Sequence, residues 1–198
     1  MPTLLFHITH VDNLQHILAS GALRCYEDLA ATTGWAVSIA HLGIQDRRAR
    51  VQVPCGPEGT LHQYVPFYFA PRSPMLYTIN RGNVKGYREG QAPIIHIVSS
   101  VEQVQTTGHR FVFTDGHAII ALTRFFSELA DLDQIDWDLM SAQYWYDTDE
   151  DPDRKRHRQA EFLVYQQLRL DAFLGFGVYN SEIQKRTEAV LAGAGAEL

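Results

Sequence analysis

Apolar residues recur along the first part of the chain at two different spacings. The run LLFHI near the start is a short apolar stretch that predicts a strand. In the segment that follows, VDNLQHILASG, four apolar residues share one helical face, namely Val11, Leu14, Ile17 and Leu18. Thr9 or Asp12 is available to cap this helix, and Gly21 is available to end it. The chain is therefore predicted to begin with a strand followed by a helix.

The middle of the chain contains three runs rich in β-branched and aromatic residues, YVPFYFAP, IIHIVSS and RFVFTDG. Each run is bounded by Pro, Gly or Ser, and this pattern is typical of strands. Between Cys25 and Gly59 the apolar positions are too irregular to predict more than a short helix around Ile39 to Arg50. We expect a mobile loop region there that carries function.

Helical spacing returns in the segment TDGHAIIALTRFFSELADL, which begins with a Thr/Asp cap. Its apolar residues at helical spacing are Ile119, Leu122, Phe126 and Leu129. They predict a helix of about three to four turns. AEFLVYQ and FGVYN predict late strands, and SEIQKRTEAVLAG predicts a closing helix from Ser181 to Gly193. We expect the tail AGAGAEL to be frayed.

Size and composition favour one mixed α+β domain spanning residues 1–198. The chain of 198 residues is 45% hydrophobic, enough for one sizeable core, and no repeat or linker divides it. No run approaches the roughly 20 apolar residues that cross a bilayer, and MPTLLFHITH lacks the features of a signal peptide. We therefore expect a cytoplasmic protein without membrane contact. Cys25 and Cys55 are expected to be reduced thiols.

The charge distribution limits how the chain can contact nucleic acid. A formal net charge of -6 argues against non-specific coating of nucleic acid, because phosphate neutralisation needs a basic surface. Two short basic clusters remain, QDRRARV around Arg48 and DRKRHRQ around Arg156. Either cluster, taken alone, is explained by solvated surface charge. Any nucleic-acid contact must therefore be local.

The standard signatures of common enzyme classes are missing from the chain. It has no P-loop, no GxGxxG, no HExxH and no nucleophile elbow. The nine histidines are scattered, with no pair at ligand spacing beside carboxylates. We therefore predict no metal site.

Several segments together resemble the DarT family of toxins, which attach ADP-ribose to bases in single-stranded DNA. The resemblance rests on HITHVDNLQHIL, QDRRARV, HQYVPFYFAPRSPMLY, GQAPIIHIVSS, FVFTDGHA, SAQYW and RQAEFLVY, which occur in this order through nearly the whole chain. It implies an ADP-ribosyltransferase-like fold, in which a split, twisted β core with flanking helices binds NAD as the co-substrate. A late strand of that core presents one glutamate.

Here the family's glutamate corresponds to Glu161 in AEFLVYQ. Loss of nicotinamide leaves an oxocarbenium-like ribose that a carboxylate can stabilise. Alternation places Glu161, Leu163 and Tyr165 on one face of the predicted strand, beside apolar neighbours. The alternative from residue type alone is a strand-edge glutamate that faces solvent. If Glu161 faces the surface, its replacement by Ala should leave the fold intact.

The resemblance also assigns the other site residues. Arg48 is the second catalytic candidate, acting electrostatically on pyrophosphate or on the acceptor base, because its guanidinium does not deprotonate. The implied NAD-binding residues are His7, Thr9, Asn13, Leu14, Tyr68, Phe69, Ser73 and Tyr77. The implied residues for the acceptor are Arg47, Arg50, Met75 and His117.

Each of these assignments has a structural alternative. His7 could be a structural histidine, and Asp12 or Asn13 could simply cap the first helix. The aromatic residues could belong to the core, and His117 could cap the predicted helix that follows it.

For the acceptor we favour thymine in single-stranded DNA, because a ring nitrogen engaged in pairing is reachable only in an unpaired or flipped base. Stacking aromatics and a few arginines would suffice to bind a short segment. The expected partner is a DarG-like macrodomain antitoxin. The alternatives are the same chemistry on guanine, RNA, a protein side chain or a small molecule, an inactive nucleotide-binding module, and a metal-dependent nuclease.

Overall fold

The computed structural model describes residues 2–32 and 36–195. Its strands are β1 Leu4–His10, β2 Ala22–Arg24, β3 Tyr64–Tyr68, β4 Ile94–Ser100, β5 Phe111–Thr114, β6 Phe125–Phe126, β7 Glu161–Tyr165, β8 Gln167–Arg169 and β9 Gly175–Gly177. Its α-helices are α1 Leu14–Ala19, α2 Tyr26–Ala31, α3 Leu42–Arg48, α4 Pro74–Asn80, α5 Val101–Thr106, α6 Trp137–Ser141, α7 Arg154–His157 and α8 Ser181–Gly193. Short 3-10 turns cover Val11–Asn13, Leu61–Gln63, Leu129–Gln134 and Leu170–Ala172.

Seven strands form one antiparallel sheet in the order β6-β5-β7-β3-β1-β4-β9. β2 and β8 pair separately. The strand β7 lies inside the large sheet, with β3 on one side and β5 on the other. Any side chain on β7 is therefore flanked by two neighbouring strands.

The sheet is split between β1 and β3. β1 pairs with β4 from Leu4 to His10, but its pairing with β3 is confined to Phe6 opposite Tyr68 in the described chain. Pro66 has no N–H to donate, and its carbonyl oxygen accepts a hydrogen bond from His7 Nδ1 at 2.8 Å. The His7 side chain thus takes the place of a backbone hydrogen bond between β1 and β3. This break in the ladder agrees with the split β core that the family resemblance implies.

Aromatic packing holds the sheet to the elements on one of its faces. Phe67, Phe113 and Phe162 are fully buried, and the rings of Phe162 and Phe111 stack with centroids 4.8 Å apart. Leu163, the next residue on β7, belongs to a separate hydrophobic cluster. This alternation confirms that both faces of β7 are covered, and each fully buried large side chain contributes about 1.5–3 kcal/mol.

The first helix forms as predicted but is capped differently. It begins with the 3-10 turn Val11–Asn13, and His10, rather than Thr9 or Asp12, provides the cap, because its Nδ1 accepts from the Asp12 backbone N–H at 3.2 Å. Gly21 ends this region with φ +73°, a conformation that favours glycine.

The helix predicted in TDGHAIIALTRFFSELADL is wrong. β5 ends at Thr114, a loop runs to β6, and the segment ends in the 3-10 turn Leu129–Gln134. Asp115 closes this loop, since its carboxylate accepts from Arg124 N at 2.9 Å and from Arg124 Nε at 2.8 Å. Phe126 stacks on Phe113 at 5.3 Å, so an apolar residue expected on a helix face belongs to the sheet.

Other predictions are confirmed in part. α8 has the bounds expected from the sequence, while the FGVYN strand is reduced to β9. The region from Cys25 to Gly59, expected to be mostly loop, contains both α2 and α3, although residues 33–35 lie outside the described chain. In the tail, Gly193 still belongs to α8, and residues 196–198 lie outside the described residues.

The second basic cluster is only in part solvated surface charge, because Lys155 is exposed whereas Arg158 is buried. Arg158 is 3% exposed, and its guanidinium donates to the carbonyl oxygens of Arg72, Leu139 and Met140. These carbonyl acceptors offset the cost of burying the cation, and burial lowers the pKa of Arg158 from its usual value. Cys25 and Cys55 are free thiols. Within the described residues, no helix is both long and apolar enough to cross a bilayer.

Replacement of Phe162 by Ala is expected to lower the free energy of unfolding by about 3–5 kcal/mol, because a fully buried stacked ring leaves a cavity in the sheet. Urea denaturation measures this change. The matched control is Tyr179→Ala, since Tyr179 is 60% exposed and its truncation should change stability by less than about 0.5 kcal/mol. Equal losses in the two variants would contradict this account of the core.

Candidate active site

Glu161 occupies the first position of β7 and is only 2% exposed. Its Oε2 accepts a hydrogen bond from Arg48 Nη1 at 2.7 Å, and its Oε1 accepts from the backbone N–H of Ala118 at 3.0 Å. The backbone N–H of Glu161 donates to Thr114 Oγ1 on β5. Both carboxylate oxygens are thus paired with donors, as a buried charge requires.

The expectation that Glu161 faces the surface is wrong. β7 lies between β3 and β5, so its first residue is enclosed by neighbouring strands and by the loop that carries Ala118. Replacement of Glu161 is consequently expected to destabilise the fold, because it removes one partner of a buried charge pair.

Arg48 reaches Glu161 from α3, 113 residues away along the chain. It lies in the last turn of α3, where a cation is stabilised by the helix dipole, and it is 7% exposed. Nη1 is used by Glu161, whereas Nη2 is buried without a hydrogen-bond partner among the described residues. The guanidinium therefore holds the carboxylate with one nitrogen and has a second donor left for a ligand.

The surroundings keep Glu161 ionised. Burial by itself raises the pKa of this carboxyl, but Arg48, His117 and the Ala118 N–H lower it by more, so that the pKa lies below its usual value. The carboxylate is therefore charged at neutral pH and available to stabilise positive charge on a substrate.

His117 lies beside this pair, in the loop between β5 and β6. Burial lowers its pKa, the Glu161 charge raises it, and Arg48 and Arg47 lower it further, with a net lowering. The ring is thus neutral at pH 7. No helix follows His117, so the alternative that it caps one is wrong; its backbone N–H donates to the carbonyl oxygen of Arg156 at 3.0 Å.

Tyr68 is the cross-strand neighbour of Glu161 on β3. Burial and the Glu161 charge raise the pKa of its phenol, so the hydroxyl remains protonated. His7 lies on the adjacent strand β1, and burial lowers its pKa to about 4. Because the Pro66 carbonyl oxygen can only accept, His7 Nδ1 carries the proton, which leaves Nε2 as an acceptor in the neutral ring.

Asn13 stands at the N-cap position of α1, but its side chain makes no capping hydrogen bond there, so that alternative is also wrong. Its Oδ1 accepts from the N–H groups of Ala36 and Val37, at 2.9 and 3.0 Å. Its Nδ2 donates to the carbonyl oxygen of Val37 and to Thr9 Oγ1. Asn13 therefore joins Ala36 and Val37 to Thr9 of β1, the strand that also carries His7.

Comparison of the chain with known protein families identifies the family to which it belongs. The family model described as DarT, ssDNA thymidine ADP-ribosyltransferase, matches residues 6–198. The chain belongs to the DarT family. The DNA ADP-ribosyl transferase of Thermus sp. (strain 2.9) is 43% identical over 190 residues, which cover 96% of this chain and 88% of that protein. This membership confirms the resemblance seen in the sequence.

Solved DarT structures have the same fold. Thermus sp. 2.9 DarT in complex with ADP-ribosylated ssDNA superposes with a TM-score of 0.93 at 41% identity, covering 100% of this chain and 91% of that one. The same protein in complex with NAD+ gives a TM-score of 0.89 at 39% identity, covering 100% and 92%. These matches confirm the predicted α+β ADP-ribosyltransferase fold.

A more distant relative carries a second activity in its name. The DNA ADP-ribosyl transferase-DNA ADP-ribosyl glycohydrolase fusion protein of Thermosipho africanus is 26% identical over 164 residues. Those residues cover 82% of this chain and 39% of the fusion protein.

Four of the residues implied by the DarT family have structural roles of their own. Leu14, the first residue of α1, is fully buried in a cluster with Ile95 and Ile183, and Phe69 packs within the aromatic cluster at 6% exposure. Ser73 caps α4 by accepting from Leu76 N at 3.2 Å, and Met75 packs beside α4's buried residues. Three of these side chains therefore pack within hydrophobic clusters, and Ser73 caps a helix.

The remaining residues lie nearer the surface. Tyr77 is 54% exposed, and its ring meets that of Trp145 edge-on at 5.9 Å. Arg47 donates to the carbonyl oxygen of Ile119 at 3.1 Å, which places it against the loop that carries His117. Arg50 is exposed. In the described residues no three His, Cys, Asp or Glu side chains are grouped as metal ligands.

Sequence reasoning missed the backbone N–H of Ala118 and the hydroxyl of Thr114. An alanine gives no chemical signal in a sequence, because the donor is a peptide group that every residue except proline has. The sequence predicts that Thr114 caps a helix, whereas its Oγ1 accepts a hydrogen bond from the first residue of β7 and so joins β5 to β7. Only a correct prediction of the loop between β5 and β6 would have found either contact.

Replacement of Arg48 by Met is expected to lower the free energy of unfolding by about 3–5 kcal/mol, because it leaves the Glu161 charge buried and unpaired. The double variant Arg48→Met/Glu161→Met should recover most of this loss, since it removes both charges. Chemical denaturation of the two variants tests the expectation. A double variant less stable than Arg48→Met would contradict it.

Stability should also depend on pH through Glu161. Because its pKa is lowered in the folded state, the contribution is fully present above the unfolded pKa of about 4.3 and is lost as pH falls through the folded-state pKa. Thermal unfolding of the wild type between pH 7 and 3 should show this loss, and the double variant should lack that part of it. Identical pH profiles for the two proteins would rule the contribution out.

Proposed function

We propose that this chain transfers ADP-ribose from NAD to thymine in single-stranded DNA, with Glu161 and Arg48 as the catalytic pair. The observation that carries this proposal is the buried ion pair of 2.7 Å between these side chains, in a chain of the DarT family. The Thermus relative in complex with NAD+ and with ADP-ribosylated ssDNA supports the choice of both substrates.

In this mechanism Glu161 stabilises the ribose as the bond to nicotinamide breaks. The ribose then has oxocarbenium-like character, and a fixed negative charge lowers the barrier most where positive charge develops. Each carboxylate oxygen has one protein donor, and an ionised carboxylate can accept about four hydrogen bonds. Glu161 can therefore accept a ribose hydroxyl without losing Arg48 or Ala118.

Arg48 acts as an electrostatic group in the same site. Its Nη2, which has no partner in the described chain, is the donor for the pyrophosphate or for a carbonyl oxygen of the acceptor base. A guanidinium does not lose its proton at physiological pH, so Arg48 polarises the base rather than deprotonating it.

The split between β1 and β3 is the proposed place for the nicotinamide end of NAD. His7, with its free acceptor Nε2, and Thr9 lie on β1, and Asn13 is bonded to Thr9. Tyr68 supplies a protonated hydroxyl beside Glu161. Leu14, Phe69, Ser73 and Tyr77 complete the predicted set for NAD, the first three through packing and capping.

The acceptor base is proposed to enter beside the loop between β5 and β6. His117 is neutral and close to Glu161, and Arg47 lies against the same loop. Arg50 and Met75 are the other predicted contacts. The net charge of -6 means that DNA affinity must come from such local contacts and from stacking.

A DarG-like macrodomain antitoxin is the proposed partner. The Thermosipho relative, whose name joins a DNA ADP-ribosyl transferase to a DNA ADP-ribosyl glycohydrolase, supports this pairing. A glycohydrolase of that kind would reverse the modification that this chain makes.

The function is tested by incubating the protein with NAD and short single-stranded oligonucleotides, read by intact mass. Thymine-containing strands should gain one ADP-ribose, while the same strands in a duplex should not, because the acceptor nitrogen is paired. Glu161→Gln should lower the rate by about 10²–10³-fold, since the shape is kept and the charge is lost. The matched control Glu188→Gln, on the exposed face of α8, should retain the wild-type rate.

Mass gain confined to strands that contain guanine, whether or not they contain thymine, would instead assign guanine as the acceptor. NAD consumption without any gain on DNA would exclude DNA and favour RNA, a protein or a small molecule. Full activity of Glu161→Gln would contradict the catalytic role of Glu161.

A further inference from the structure

The loop between β5 and β6, residues 115–124, brings the Ala118 N–H to Glu161. A single side chain touches this loop at both ends. Arg156 Nη1 donates to Asp115 Oδ1 at 3.1 Å and to Thr123 Oγ1 at 3.3 Å. The Arg156 carbonyl oxygen accepts from His117 N at 3.0 Å, one residue before Ala118. Arg156 is therefore bonded to both ends of the loop through its side chain and to His117 through its backbone carbonyl oxygen.

Other contacts of the same residues close the loop on itself. Asp115 is 3% exposed and also accepts from Arg124 N and Arg124 Nε. Thr123 Oγ1 donates to the His117 carbonyl oxygen at 2.9 Å. Burial raises the pKa of Asp115, but hydrogen bonds and charge from Arg124 and Arg156 lower it by more, so the carboxylate stays ionised.

The loop packs closely against Arg156 at Gly116. A Cβ placed on Gly116 would lie 2.5 Å from Arg156 Nη1 and 3.1 Å from the Arg156 carbonyl oxygen. Gly116 therefore allows the loop to approach Arg156 more closely than any other residue would. Arg156 in turn lies five positions before Glu161, in the segment that leads directly into β7.

We propose that Arg156, acting through its ion pair with Asp115, is a positioning residue that holds the Ala118 N–H against Glu161 Oε1. Arg156 does not touch Glu161; it fixes the loop that does. The inference rests on the proposed function in so far as Glu161 is the carboxylate that stabilises the ribose.

The guanidinium suits this role better than an ammonium would. Arg156 Nε binds the Asp153 carboxylate at 2.8 Å while Nη1 binds Asp115, so one planar group joins two carboxylates in a fixed geometry. A lysine keeps the charge but offers a single nitrogen. Misplacement of a catalytic group by about 1 Å can cost about 100-fold in rate, so a small shift of the loop is enough to be measured.

Loss of the Ala118 hydrogen bond should also change the ionisation of Glu161. The titratable and charged groups that face this carboxylate are Arg48 from α3, His117 from the loop and Tyr68 from β3. All three remain in an Arg156 variant, as do the backbone bond from His117 N and the Asp115–Arg124 pair, while the side-chain bonds that hold the Ala118 N–H in place are lost. The pKa of Glu161 should then rise, and activity that needs the ionised form should fall at a higher pH than in the wild type.

The test compares Arg156→Gln and Arg156→Lys with the wild type, using NAD and a thymine-containing single strand. Arg156→Gln should lower kcat by about 10- to 100-fold, change the KM for NAD by less than about threefold, and move the acid limb of kcat/KM to higher pH. Arg156→Lys should show a smaller effect in the same direction, and it serves if the Gln variant does not fold. Hydrogen exchange at the Ala118 amide should accelerate in both variants.

Arg169→Gln is the matched control, because Arg169 also pairs with an aspartate, Asp171, but lies on β8 away from Glu161. It should leave kcat, the pH profile and Ala118 exchange unchanged. Unaltered Ala118 exchange in the Arg156 variants, or a loss confined to KM with the acid limb in place, would overturn the inference. If the wild type consumes NAD without modifying DNA, the proposed acceptor fails, while exchange and NAD consumption still test the positioning role.

Discussion

The buried ion pair between Glu161 and Arg48 is the constraint on which the rest of the site depends. Two charges taken out of water are tolerated only when they face each other closely and their remaining hydrogen-bonding positions are satisfied. The 2.7 Å contact and the Ala118 N–H meet this requirement for the carboxylate. The free Nη2 of Arg48 is the one buried position of this pair that the described protein does not fill, which is consistent with a place reserved for substrate.

Three separate parts of the chain must come together for this pair to exist. α3 supplies the arginine, β7 supplies the glutamate, and the loop after β5 supplies the backbone donor. The sheet keeps β7 between β3 and β5, and the aromatic cluster around Phe162 fixes its position from the opposite face. β1 and β3 are joined only by the pair Phe6 and Tyr68 and by the bond from His7 to the Pro66 carbonyl oxygen in the described residues, so the ladder beside β7 is weakest there.

Local sequence patterns correctly predicted the elements that have one buried face or a long pairing with a neighbouring strand. α8 has one buried face and a clear cap at Asn180, and β1 and β4 are apolar runs in long pairing, so periodicity alone sufficed. The segment after Thr114 failed because residues spaced three or four apart can also belong to a loop followed by an edge strand. What decided between the two was the bond between Asp115 and Arg124 and the stacking of Phe126 on Phe113, neither of which is visible in a spacing.

The sequence by itself identified the family, predicted Glu161 and Arg48 as the catalytic candidates, and located most of the strands along the chain. These features can be predicted because motif residues and apolar periodicity are local properties of the sequence. Only the tertiary structure decided that Glu161 is buried and ionised, that the Asn13 side chain bonds to Ala36 and Val37 instead of capping a helix, and that Arg156 is bonded to Asp115. Burial, ionisation and positioning depend on groups that lie far apart in the chain, and a pattern of neighbours along the sequence contains no distances between them.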